Sequence, residues 1–200
     1  MQFLSLSRIW LTAAALSIGL VSAAQAAQVA TRFGDQDGFG IGVGSGDEFR
    51  FGELINPTAL GTDDWTYGGF TAQVSSAWTG NLIGGQLQVF SGGWGLDGDA
   101  GVYLNNTLVG LLTNGDDGGS EFSRAYLDSF NLTPFLALLT GSNQIEIRTV
   151  NPNDGGVLGY LKLILQTQDA GGGNSVPEPA SAALAGLALV AALAARRRRV

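Results

Sequence analysis

The chain has 200 residues, 31 of them glycine and 45% hydrophobic, with a formal net charge of −7 and neither cysteine nor histidine. Without thiol or imidazole there is no disulfide framework, no thiol nucleophile, no zinc site of the usual kinds and no imidazole triad. Between residues 27 and 175 only Arg32, Arg50, Arg124, Arg148 and Lys162 face sixteen of the seventeen acidic residues, a net of −11; such a field repels phosphate backbones and disfavours nucleic acid, yet accepts cations and neutral ligands such as glycans.

The N-terminus carries one positive charge at Arg8, an apolar run from Ile9 to Val21, then Ala24-Gln25-Ala26. Small residues at Ala24 and Ala26 are what a signal peptidase reads, so residues 1–26 are expected to be a secretory signal cleaved after Ala26. The run is short for a membrane core of about 30 Å, which argues against an uncleaved anchor. The export signal makes 27–169 the expected ectodomain.

Next comes "GDQDGFGIGVGSGDE", which brings Asp35, Asp37 and Asp47 close in sequence. Calcium takes six to eight oxygen ligands, and acidic loops with tight glycine turns supply carboxylates and carbonyls. These three are the candidate metal ligands, with calcium the ion; the alternative is a solvated acidic loop, since the full EF-hand spacing is missing. "EFRFGEL" alternates and predicts a strand with Phe49 and Phe51 on one face. "TDDWTYGG" and "SGGWGLDGD" are turn-rich segments that can display aromatic rings to a sugar. From these, Trp65 and Trp94 are the candidate stacking residues, with Asp64 and Asp97 accepting from hydroxyls. Between them "FTAQVSSAW" places Phe70, Ala72, Val74, Ser76 and Trp78 on one side, which makes Trp78 a core residue. "QLQVF" turns Leu87 and Val89 inward and its glutamines outward.

"GVYLNNTLVGLL" reads as a hairpin, with Val102–Leu104 running in, Asn105-Asn106 turning, and Thr107–Leu112 running out. Asparagine tolerates the positive φ that a two-residue hairpin turn needs. In "DSFNLTPFLALLTGSN", Thr133 is placed to cap a short helix, Pro134 to open it and Gly141 to end it. "QIEIRTV" and "VLGYLKLILQ" resume as strands, the last largely buried. The sum is an all-β chain, a two-sheet antiparallel sandwich with one short helical insert.

The segments "DAGVYLNNTLVG", "SFNLTPFLALLTGSNQIEIRTVN" and "GGVLGYLKL", in that order, resemble the second half of galactose-binding-like jelly-roll domains, over about residues 97 to 166. The resemblance implies a jelly roll, and family members often hold calcium in the acidic loop. The first half, 27 to 95, matches only in strand character, and a fold does not carry an activity with it.

A Gly-rich linker, residues 170–176, leads to the tail at 177–200. Pro177-Glu178-Pro179 is held extended by its prolines and denied to a helix. Ala180–Ala195 would span about 24 Å as a helix, short for a membrane, and Arg196, Arg197, Arg198 and Arg199 would hold its end on the cytoplasmic side. This three-part order resembles the PEP-CTERM sorting signal of Gram-negative surface proteins. The resemblance implies a transmembrane helix, transient residence in the inner membrane, and processing by an exosortase, a membrane-embedded cysteine transpeptidase; the alternative is a permanent tail anchor.

Together these imply an exported protein of the cell envelope, cell surface or extracellular polysaccharide matrix of a biofilm. The ectodomain is expected to be a glycan- or exopolysaccharide-binding module, with a structural or adhesive matrix protein as the alternative. No enzyme is expected, because no acid stands in an evidently apolar setting.

Overall fold

In the computed structural model the described residues are 26–53, 61–95, 98–115 and 121–168. All lie within one compact unit, Ala24–Asn174. The sorting residues Pro177, Glu178, Pro179 and Arg196 to Arg199, together with Ala24 and Asp97, lie outside them. Among the described residues no helix is long and apolar enough to cross a membrane.

The strands are β1 Ala26–Gly34, β2 Glu48–Arg50, β3 Trp65–Tyr67, β4 Gly69–Ser75, β5 Asn81–Gly92, β6 Ala100–Leu104, β7 Thr107–Leu111, β8 Phe122–Asn131, β9 Ser142–Thr149 and β10 Gly155–Gln168. They form two antiparallel sheets. One has the order β1-β10-β5-β8-β2, and β3 also pairs with β10; the other has the order β4-β9-β6-β7. The expected two-sheet antiparallel sandwich is therefore the fold. β10 is central to the larger sheet and buried along most of its length, as its continuous apolar run requires.

Alternation builds the core between the sheets. Leu87 and Val89 of β5 and Leu161, Leu163 and Leu165 of β10 meet Ala72 and Val74 of β4, Val102 and Leu104 of β6, and Ile145 and Ile147 of β9. Trp78 is half-buried and packs against this core, in keeping with its place on the alternating face. A bulge between Leu158 and Tyr160 lets β10 feed both of its faces.

A second apolar cluster covers the outer face of the larger sheet: Phe39, Phe49, Phe90, Ala125, Val157 and Tyr160. Phe39 comes from the turn Gly38–Gly42 and has φ 59°. Its ring stacks on Phe90 at 4.8 Å and tilts against Phe49 at 5.1 Å. The loop after β1 is thus pinned down by an aromatic side chain.

The hairpin forms as expected. Asn105 and Asn106 have φ of 47° and 70°, both left-handed, the mark of the type I′ turn that matches strand twist. Two expectations are corrected. Phe51 does not continue β2: the strand ends at Arg50, and Phe51–Glu53 is a single 3₁₀ turn. The insert at Thr133–Leu138 is also 3₁₀, and Thr133 is not its cap; Leu132 holds that position without a side-chain bond. Asn131 Oδ1 accepts from the Thr133 N–H at 3.0 Å instead. Pro134 does open the turn, but extended backbone resumes at Leu139, before Gly141. Six residues are too few to repay the cost of an α-helical nucleus.

Candidate functional site

The end of β1 at Gly34 delivers Asp35 and Asp37 to the rim of the sandwich. Asp37 Oδ1 caps the following turn, accepting from Gly40 N–H at 2.9 Å. Asp63 arrives from the segment before β3, in a left-handed conformation with φ 62°, its N–H donating to Leu158 carbonyl at 2.8 Å. Carboxylate oxygens of Asp35, Asp37 and Asp63 all lie within 4.8 Å of one another. Asp63 is 1% exposed, and neither of its carboxylate oxygens has a hydrogen-bond partner.

Burial pushes the Asp63 carboxyl up to about 7, and the charges of Asp37 and Asp35 add to it. Asp35 is raised too, by burial first and then by its hydrogen bond and charge interaction with Asp37. One acid therefore does stand in a desolvated setting, contrary to expectation. Leaving a buried carboxylate unpaired costs several kcal/mol unless it is protonated or meets a cation. Oxygens bound on opposite sides of a calcium ion, each at 2.3–2.6 Å, stand about 5 Å apart. The spacing and the all-oxygen donor set therefore fit a calcium ion.

Asp47, expected with this group, is elsewhere. Its Oδ2 accepts from Gly44 N–H at 2.8 Å and its backbone carbonyl accepts from Ala125 N–H at 3.0 Å, so it closes its own turn. Proximity in sequence favoured Asp47; chain reversal favours Asp63, 26 positions beyond Asp37.

The candidate sugar-stacking residues divide. Trp94 is 1% exposed and belongs to the main core, so it cannot stack on a ligand at the surface. It fits because residue 156 is glycine, where any side chain would run into the indole. Trp65 is half-buried; its ring packs on Phe51 at 4.2 Å and lies close against Gly93 and Gly155. Asp64 is exposed beside it. The residue that projects is Tyr67, 69% exposed, at the end of the same strand. Val150, 76% exposed, stands in the β9–β10 connection. The buried carboxylate of Asp154 ties these connections together. It accepts from Gly95 N–H at 3.0 Å, while its backbone carbonyl accepts from Gly68 N–H at 2.9 Å.

This tip lies opposite the end where the chain enters and leaves. Ala26 pairs with Gln168 at one end of β10, and Tyr67 pairs with Gly155 at the other. Fourteen residues of strand separate the two ends, roughly 45 Å at 3.3 Å per residue.

A cleft of about 250 Å³ opens on the outer face of the larger sheet, roofed by Gln36, Gly38, Val43, Gly44 and Ser45 and floored by Phe90, Leu127 and Tyr160. Elsewhere on the surface, Arg148 pairs with Glu146, donates to Asn106 Oδ1 at 2.7 Å and lies 4.2 Å over the Tyr103 ring. Arg50 pairs with Glu121 and Arg124 with Glu48. With three of the five basic residues already paired, the acidic excess dominates.

The arrangement defines a class: an antiparallel β-sandwich carrying an acidic rim site. Residues 175–199 match the PEP-CTERM protein-sorting motif. The chain carries that motif, which marks an exported protein sorted to the cell envelope or surface. No curated protein matches the chain by sequence. Among solved structures it is similar to the β-porphyranase BpGH86A of glycoside hydrolase family 86 from the human gut bacterium Bacteroides plebeius: 16% identity, 60% of this chain, 20% of that one, TM-score 0.35. It is similar to BuGH86, solved in complex with neoagarooctaose: 14% identity, 70% and 19% of the two chains, TM-score 0.36. This chain thus spans about a fifth of the length of these two proteins. It is also similar to the CBM36-1 domain of a multidomain xylanase from the hindgut metagenome of Trinervitermes trinervoides: 15% identity, 75% of this chain, all of that one, TM-score 0.34.

Proposed function

We propose that this is an exported surface or extracellular-matrix protein whose sandwich is a non-catalytic glycan-binding module with a calcium-ordered loop. The observation that carries the reading is the placement of Tyr67, Trp65 and Asp64 at the end of the sandwich opposite Gln168, from which the chain continues to the sorting motif. There an exposed ring offers a stacking face and neighbouring acids and backbone offer hydrogen bonds, the usual means of holding a neutral sugar. The unpaired basic residues are too few to favour acidic polysaccharide, which would need a bridging cation.

Asp35, Asp37 and Asp63 would hold the calcium, which would supply charge neutralisation and fix the root of the loop that Phe39 anchors. Modules that work outside the cell bind calcium with dissociation constants of about 10⁻⁴–10⁻³ M. A glycosidase reading is not supported by the same acids: Asp63 is shielded from any substrate, so it can neither protonate a leaving group nor attack a sugar. Signal peptidase and an exosortase would be the processing partners, with the inner membrane a station on the way.

A second reading, a structural or adhesive matrix protein, is favoured by β7. Among the described residues this strand pairs only with β6, and it carries no charged residue. A bulge opposite Val102 and Tyr103 turns both Leu108 and Leu111 to the outer face, where they are exposed. Uncharged edges of this kind pair with other chains. A glycan array with the exported protein, with calcium and with chelator, separates the readings. Retention on neutral glycans supports the module. No retention, with concentration-dependent self-association that Leu108→Lys abolishes, supports the matrix protein.

A further inference from the structure

We infer that the open outer face of the larger sheet binds one anionic group, a carboxylate or a sulfate, carried on an otherwise neutral glycan; this rests on the glycan-binding reading and names a surface other than the tip. Strand register lines up four side chains across this face. Arg32 of β1 stands opposite Lys162 of β10, Lys162 opposite Gln88 of β5, and Gln88 opposite Ser129 of β8. All four point away from the core, because their strand neighbours Phe33, Leu161, Val89 and Phe130 point into it. Adjacent strands lie about 4.8 Å apart, so the row spans about 14 Å. Gln86 and Asn131, again opposite each other, form the next rung along. Arg32 and Ser129 are exposed and Lys162 is half-buried, so a ligand can reach the row.

Charge singles this row out from the rest of the domain. Arg50, Arg124 and Arg148 each pair with a glutamate, whereas among the described residues no carboxylate comes within ion-pair distance of Arg32 or Lys162. The charge of Arg32 reaches Asp35, but from beyond that distance. β1, β5 and β10 contain no acidic residue, and the one acid of β8, Asp128, turns the other way to accept from Thr113 Oγ1 at 2.6 Å. In a domain of net −11, the two basic residues not committed to an acid are thus side by side. Like charges directly opposite each other on a sheet repel. An anion between them turns that repulsion into attraction. Arg32 gives one N–H to Gln36 Oε1 at 3.0 Å and keeps the rest of its fork, while Lys162 supplies a point charge. The amides of Gln86, Gln88 and Asn131 and the Ser129 hydroxyl continue the row with donors and acceptors suited to sugar hydroxyls. The acidic field of the domain repels a densely charged polymer. It does not repel one charge held in contact, because the Debye length of about 8 Å at physiological salt screens the more distant acids.

The test is amide chemical-shift mapping of the exported protein at matched ionic strength. The probes are methyl glucuronide, methyl galactoside 6-sulfate, uncharged methyl glucoside and methyl galactoside, and the acetate and sulfate ions alone. Saturable shifts at Arg32, Gln88, Ser129 and Lys162 are expected with at least one charged sugar, and a response to one alone tells which anion is held. The uncharged sugars should bind there about three- to fivefold more weakly, and Lys162→Gln should bring the charged ones down to that level. Salt at about 1 M, where the Debye length is about 3 Å, should do the same. Lys162→Gln removes a like-charge contact and should melt no lower than the wild type, so its lost shifts report lost ligand and not unfolding. Equal shifts with charged and uncharged sugars would overturn the proposal, as would charged-sugar shifts that survive in Lys162→Gln and Arg32→Gln alike. Acetate and sulfate ions that shift the row as strongly as the sugars would overturn it too. A neutral oligosaccharide that shifts Asp64–Gly68, with no response of the row to any sugar, would overturn it and leave the glycan reading intact. Shifts at neither place would overturn both.

Discussion

Asp63 shows how one side chain can set the behaviour of a domain under changing conditions. Its carboxyl, pushed up to about 7 by burial, stays protonated in the fold at pH values where the unfolded chain has released the proton. Below about pH 4 the group is neutral in both states and adds no pH dependence. Between about pH 4 and 7 the folded state holds the proton and the unfolded state does not, so stability falls as pH rises, by on the order of a few kcal/mol in total. In chelator, the melting temperature should therefore drop from pH 5 to pH 7.5, and Asp63→Asn should flatten that slope. At pH 7.5, saturating calcium should raise the wild-type melting temperature by about 5–10 °C and leave Asp63→Asn unmoved, because only the ionised triad holds the ion. Equal melting curves with calcium and chelator would dispose of the site. The sequence displays Asp63 as an ordinary turn acid in "TDDW". Its burial depends on how the segment before β3 docks on β10, which no local spacing encodes. Trp94 illustrates the same limit from the other side: glycines around it suggest an exposed loop, but they are the clearance that lets the indole sink into the core.

At the scale of elements, alternation was a sound guide wherever one face meets the core and the other meets water. β4, β9 and residues 86–89 of β5 follow it. It failed where a face is covered by something other than the opposite sheet. Phe90 ends "QLQVF" on the face of the glutamines and is buried all the same, because Phe39 comes over from a glycine-rich loop. A period of two cannot announce a loop that covers the outside of a sheet. Phe39→Ala should accordingly behave as a core deletion, costing about 3–5 kcal/mol in denaturant unfolding. A cost under 1 kcal/mol would mean that the loop is not docked. Asn105 both turns the hairpin and ties it to its neighbours: its amide donates to the carbonyl of Leu138 in the 3₁₀ insert at 2.7 Å, and its Oδ1 accepts from Gln144 N–H of β9 at 2.8 Å. Asn105→Ala should cost about 2–4 kcal/mol and Asn105→Gly, which keeps the turn but loses the bonds, about half of that. Equal costs would show that the left-handed turn position contributes nothing, and an Asn105→Gly variant as stable as wild type would show that the side-chain bonds contribute nothing.

For the whole molecule, the division of labour follows the order of the chain: a sandwich, then a sorting motif at 175–199. The sorting motif was legible because targeting machinery reads short linear patterns, which a sequence shows without folding. The proposed tip surface was legible only in Trp65 and Asp64, because it is assembled from β3 and the β9–β10 connection. Glu178→Ala should leave export intact and block sorting, so that protein bearing Arg196 to Arg199 accumulates in the membrane fraction; unchanged surface display would contradict the role given to the motif. The account as a whole stands on the tip of the sandwich being the surface that meets glycan. The direct measurement is calorimetric titration of the exported protein with a neutral oligosaccharide selected on the array, in calcium, comparing wild type with Tyr67→Ala. The expected result is weak but saturable binding by the wild type and at least a tenfold loss in Tyr67→Ala, with an unchanged melting temperature, since the ring projects into solvent and supports nothing. Equal affinity in the two proteins would contradict it.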